Sequence, residues 1–282
     1  MNDFKHCADL VRSVDRDRYL ATLFAPEQAR DGLFALYAFN VEILRVRAVA
    51  REPMPGEIRL QWWREVLSGE RADEARAHPI AASLSTIVST HHLPAEKLAD
   101  LVKAHRFDVY NDAMATFADL NSYAAQTAGT IFELAAQILT GDSSPAMAGL
   151  ASEAGNAQTL ADILALLPRH AGRRQLFIPL DTLRHYGVDP EDIFAMHATR
   201  ELRAAMAEIR LRARLHLAQV GSTGPELPRD ARPAFLSLAP LWQWLRDMER
   251  AGYEPFKPPQ VSSWRRQWRI WRAAKSFSRI GA

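Results

Sequence analysis

Residues 33–48, LFALYAFNVEILRVRA, decide how this chain folds. Leu33, Phe34, Leu36, Tyr37, Phe39, Val41, Ile43, Leu44 and Val46 run almost right round a helix. That pattern predicts a central, buried helix rather than a surface one. Pro26 stands in the first turn ahead of Glu27, and Pro53 and Pro55 close the segment near Ala50. Arg45 and Arg47 fall inside this apolar surface. A buried charge without a partner is costly, so they are expected to reach a cavity or a carboxylate, with Glu42 one turn earlier as a candidate.

Outward from this segment the apolar spacing stays helical. Helices are expected over residues 55–68 (with Trp62 and Trp63), 94–111, 145–167, 190–219 and 231–250. Asn121 is a candidate cap for a further helix through Tyr123, Ile131, Phe132 and Leu139. Gly129 lies inside that helix, where glycine costs about 1 kcal/mol relative to alanine. Close helix approach or room for a ligand would explain it. No run of alternating β-branched residues and no internal repeat is present, so the expected fold is a single all-α bundle.

The 282 residues are 48% hydrophobic and 24% charged, an ordinary globular balance. No apolar run approaches the roughly 20 residues that span a bilayer, and the N-terminal stretch resembles neither a secretory signal nor a transit peptide. Cys7 is the single cysteine. A cytoplasmic protein is expected. The net charge of +2 is unevenly spread: residues 264–282 hold six basic residues and no acidic one, leaving 29 basic against 33 acidic elsewhere. The chain as a whole is therefore not built as a nucleic-acid binder. The division expected is a helical domain over 1–255 and a basic tail over 256–282. In that tail Trp264, Trp268 and Trp271 form a stripe among Arg265, Arg266, Arg269 and Arg272. The stripe suits contact with a membrane surface or a partner, packing onto the bundle, or stacking on RNA.

The order of DRYLATLFAP (17–26), LFALYAFNVEILRV (33–46), PGEIRLQWWREVL (55–67), SYAAQTAGTIFELAAQIL (122–139) and ADILALLPRHAGRRQLFIP (161–179) resembles the squalene/phytoene synthase family. The resemblance implies an isoprenoid-synthase-type helical bundle around a central cavity. It also implies a reaction in which Mg²⁺, held by facing aspartate pairs, expels diphosphate from prenyl diphosphates. Both pairs are replaced here. The family stretch E-V-D-D-I-A-D corresponds to Glu42, Ile43, Leu44, Arg45, Val46, Arg47 and Ala48, and D-V-G-E-D to Leu166, Leu167, Pro168, Arg169 and His170. Removing hard oxygen ligands and adding guanidinium repels the ion.

The second motif is similar to a branch of the family associated with assembly of respiratory complex I. That resemblance implies a non-catalytic protein without a metal cofactor, with complex I subunits or assembly intermediates as partners, located peripherally at the inner membrane. A degenerate cavity is expected to bind an isoprenoid or lipid, lined by Glu42, Arg45, Tyr123, Gln126, Arg169, His170, Arg173 and Arg174, with Thr127 nearby. The alternative is an active Mg²⁺-dependent prenyltransferase using Asp108 and Asp112, four apart, or Glu42.

Overall fold

The central helix runs from Glu27 to Val49, and every residue from Gly32 to Val41 is buried. Leu44, at 53% exposed, faces a cavity rather than a neighbouring helix. The computed structural model describes residues 3–50, 52–257 and 262–281. Residues 258–261 and 282 of the expected tail therefore lie outside the described residues.

In chain order the helices are α1 (Asp3–Val14), α2 (Arg16–Thr22), α3 (Glu27–Val49), α4 (Pro53–Ser68), α5 (Ala72–Ala77), α6 (Pro79–Thr90), α7 (Ala95–Ala104), α8 (Arg106–Val109) and α9 (Phe117–Ala124). A π-turn at Ala125–Gly129 leads into α10 (Thr130–Thr140). There follow α11 (Pro145–Ala165), α12 (Leu167–Gly172), α13 (Leu180–Tyr186), α14 (Pro190–Phe194), α15 (Arg200–Thr223), α16 (Leu241–Asp247) and α17 (Ser263–Lys275). Among the described residues there is no strand, and no helix is long and apolar enough to cross a membrane.

Helix α3 packs against α1, α4, α6 and α10, while α11 packs against α15, α10 and the π-turn. The all-α bundle around a cavity is thus the observed architecture. Four boundaries differ from the periodicity reading, each for a local reason. Thr116, not Asn121, caps α9: its hydroxyl accepts from Asp119 N, and the Asp119 side chain returns to Thr116 N. The expected helix over 94–111 breaks at His105, and Tyr110 is extended (φ −92°, ψ 159°). The one over 190–219 is interrupted after Phe194 and restarts where the Thr199 hydroxyl accepts from Leu202 N at 3.1 Å. Residues Arg229–Leu238, with Pro233 inside, form a 3₁₀ stretch ahead of α16.

Gly129 serves close approach. A Cβ on Gly155 of α11 would lie 2.4 Å from Gly129 N, so the two backbones touch where the π-turn bulges. The tail belongs to the same core: Ile270, Ala273, Phe277 and Ile280 are each at most 4% exposed.

Candidate functional site

Between α3, α9, the π-turn, α11 and α12 lies a cavity lobe of about 350 Å³, adjoined by a smaller lobe of about 270 Å³ that also borders α2, α16 and α17. Asp15, Arg18, Leu44, Gln158 and Asp162 line both. The larger lobe carries the arginines. Arg45 and Arg47 reach it from the last turns of α3, and Arg169, His170 and Arg173 from α12 and its end. Leu44, Ile163, Leu166 and Phe177 supply its apolar wall. Arg45, Arg169 and Arg173 have no carboxylate partner among the described residues. Arg47 donates to Ala50 O at 3.1 Å and Asn111 Oδ1 at 3.2 Å. Burial first, then Arg169 and Arg47, pulls the Arg173 guanidinium below its usual range. The end of the cavity thus gathers positive charge that an anion would relieve.

Asp15, Asp108 and Asp162 line the same larger lobe and Asp17 the smaller one, and all four are already engaged. Asp15 pairs with Arg18 at 3.0 Å, and Arg18 lies over Tyr37. Asp17 accepts from Arg266 of α17 at 2.9 and 3.1 Å, yet burial still raises its carboxyl. Gln158 donates to both oxygens of Asp162 (2.9 and 3.0 Å), while burial raises that carboxyl to about 6. Asp108 accepts from Tyr123 Oη at 2.7 Å and lies 2.6 Å from His105 Nδ1. Gln175 donates to its carbonyl at 2.7 Å.

Several expected site residues are brought together and others are not. Arg45, Tyr123, Thr127, Arg169, His170 and Arg173 line the cavity. Gln126 is exposed and donates to Ser122 Oγ, because the π-turn rotates Tyr123 and Thr127 inward instead. Glu42 points to the other side of α3, where it pairs with Arg59 at 2.9 Å rather than with Arg45 or Arg47. Arg174 leaves the cavity for Glu191 at 2.5 Å and stacks over Phe194. His170 lines the cavity as a neutral ring: burial lowers it to about 4, its Nδ1 has no partner, and it lies tilted against Phe177 at 4.6 Å. It can offer an anion a hydrogen bond but not a charge.

The alternative pair Asp108 and Asp112 does not share a helical face, since the chain turns extended at Tyr110 and Asp112 is exposed. No group of three or more His, Cys, Asp or Glu is placed to hold a metal among the described residues. The four cavity carboxylates each face a cation or donor of this chain, and the family's aspartate positions present Leu44, Arg45, Ala48, Leu166 and His170. The donor set does not fit a Mg²⁺ cluster.

Sequence reading missed Asp15, Asp17, Arg18, His105, Gln158 and Asp162. The signal for Asp162 was a lone carboxylate in the otherwise apolar run Leu160–Leu167.

Tail helix α17 turns Ile270 and Ala273 inward and leaves Trp264, Trp268 and Trp271 exposed at 64, 47 and 44%. Packing of the tryptophans on the bundle is therefore not what the fold shows. Arg265 and Arg272 lie beside the stripe, whereas Arg266 and Arg269 reach back to Asp17 and Gln243.

Known proteins agree with this architecture. A dehydrosqualene synthase superposes with TM-score 0.82 at 18% identity, covering 98% of this chain and 96% of its own. Squalene synthase HpnC from Alicyclobacillus acidocaldarius superposes with TM-score 0.75 at 24% identity, covering 90 and 95%. In sequence, the human NADH dehydrogenase (ubiquinone) complex I, assembly factor 6 is 30% identical over 253 residues, 90% of this chain and 76% of its own length. Phytoene synthase from Thermus thermophilus is 29% identical over 269 residues, 94 and 90% of the two chains. The squalene/phytoene synthase family model matches residues 11–272. The chain belongs to the squalene/phytoene synthase family.

Proposed function

We propose that this protein is a non-catalytic member of its family that acts as an assembly factor for respiratory complex I, and that its cavity holds the anionic head of an isoprenoid or lipid without metal. The observation that carries the reading is the exchange of charge: Arg45 and Arg169 stand at positions where the family stretches carry Asp and Glu, and Arg47 and Arg173 line the same cavity. Expulsion of diphosphate by the family route needs a hard cation at that point, and guanidinium groups bind the phosphate without the Lewis acid. The similarity to complex I assembly factor 6 across 90% of the chain supports the biological role.

Deleting the gene is expected to lower NADH–quinone oxidoreductase activity and subunit assembly in membranes. Complementation with the wild-type gene should restore both, and the Arg45→Ser/Arg169→Ser/Arg173→Ser variant should not. Intact complex I activity after deletion sinks the assembly role. The similarity to a phytoene synthase favours a second reading, an active prenyltransferase. Incubating the purified protein with geranylgeranyl diphosphate and Mg²⁺ separates the two: diphosphate release establishes the enzyme, and its absence with retained binding supports the metal-free site.

A further inference from the structure

Helix α17 divides into two faces with different fates. At roughly 100° per residue, Trp264, Trp268 and Trp271 fall within an arc of about 60°. All three are exposed, while Ile270 and Ala273 on the opposite side are buried in the core. Each tryptophan carries its own cation: Arg265 over Trp264 at 5.4 Å, Arg272 over Trp268 at 4.5 Å and Lys275 over Trp271 at 3.9 Å. Exposed indoles held beside basic groups are expensive in water and suited to the boundary between lipid headgroups and acyl chains. Leu23 and Phe24, at the end of the helix against which α17 packs, are also more than 40% exposed.

We propose that α17 is a membrane-docking helix whose tryptophan stripe enters an anionic lipid surface, with Arg265, Arg272 and Lys275 on the phosphates. Charge complementarity selects the occupant. Residues 264–282 carry six basic groups and no acidic one, on a chain that is otherwise net negative. An anionic leaflet attracts such a segment at the surface and accepts the indoles below it. RNA would use the cations but offers a contiguous three-ring stripe on a convex helix no groove to enter. The inner face of the same helix closes one cavity lobe through Arg266 and Asp17. Docking therefore places that lobe beside the lipid, whatever the cavity holds.

The test is co-sedimentation of the full-length protein with vesicles of phosphatidylcholine alone and of phosphatidylcholine mixed with phosphatidylglycerol, at low and high salt. Binding is expected to the anionic vesicles only and to weaken with salt. The Arg265→Gln/Arg272→Gln/Lys275→Gln variant should bind on the order of a hundredfold more weakly, from the loss of three surface cations. The Trp264→Ser/Trp268→Ser/Trp271→Ser variant should lose about tenfold or more. Both alter only exposed or half-buried side chains, so an unchanged melting temperature shows that they fold. Equal binding to neutral vesicles, absence of binding to anionic ones, or variants that bind like the parent would overturn the proposal. So would binding of an oligoribonucleotide through these residues without binding of vesicles.

Discussion

Burial raises the Asp162 carboxyl to about 6 and lowers the His170 imidazole to about 4, so the two groups act on stability in opposite directions over one pH window. An aspartate with a raised folded pKa binds a proton more readily in the native state. Its contribution falls as pH climbs from about 4 to 6 and stays unfavourable above. A histidine with a lowered folded pKa is protonated first in the unfolded chain. Its contribution is full above about 6.5 and is lost as pH falls towards 4. The opposed slopes largely cancel in the wild type. Asp162→Asn is expected to stabilise the protein on the order of 2 kcal/mol at neutral pH, with the gain vanishing below about pH 4. It should also unmask a stability that rises with pH from about 4 to 6.5. Urea denaturation across that range checks both, and a flat Asp162→Asn profile would refute the assignment to His170. Adding His170→Gln to Asp162→Asn should make that rise shallower, leaving the part due to His78 and His91, which burial also lowers.

At the scale of elements, two glycines on α11 test how the cavity wall is built. Gly155 meets the π-turn: its Cβ would stand 2.4 Å from Gly129 N and 2.6 Å from Gly129 Cα, with backbone on both sides and nothing flexible to yield. Gly155→Ala should destabilise by about 1–3 kcal/mol or more and shift the turn that carries Thr127. Gly149 lies on the same helix, exposed, with nothing within 4 Å of its Cβ. Gly149→Ala should stabilise by about 0.5–1 kcal/mol through helix propensity alone. Equal denaturation midpoints for the two variants would deny the close approach. The same elements show what a sequence discloses. Pro26 and Pro53 bound α3 and α4 because proline acts locally, and the all-round apolar pattern of residues 33–46 placed α3 at the centre. The Thr116–Asp119 capping box was written in the sequence but outranked by the apolar residues after Asn121. Arg45 and Arg47 were legible since they stand in an apolar run, whereas Arg169 and Arg173 were legible through the resemblance of the second motif. Asp15, His105 and Gln158 were not, because they come from separate stretches of the chain and meet only in the tertiary fold. The inward turn of Tyr123 past Gln126 depends on a π-turn that has no signature of its own here.

On the scale of the whole molecule, the second and last helices depend on each other. Arg266 holds Asp17 near the N-terminus. Phe277 fills the space over Gly224, where a Cβ would stand 2.0 Å from the ring, and meets Phe235 edge-on at 6.3 Å. Burying Ile270, Phe277 and Ile280 contributes roughly 1.5–3 kcal/mol each. Together these approach the roughly 5–15 kcal/mol that separates a folded domain from its unfolded chain. Deleting residues 263–282 is therefore expected to yield a protein that aggregates or melts well below the parent, measured by calorimetry or by solubility on expression. A truncated protein with the parental melting temperature would show the tail to be an appendage. The consequence reaches function: a deletion that abolishes membrane association or complex I assembly would confound docking with folding. The exposed tryptophans separate the two, because they contribute to the outer face of α17 while Ile270 and Ala273 keep the inner face seated.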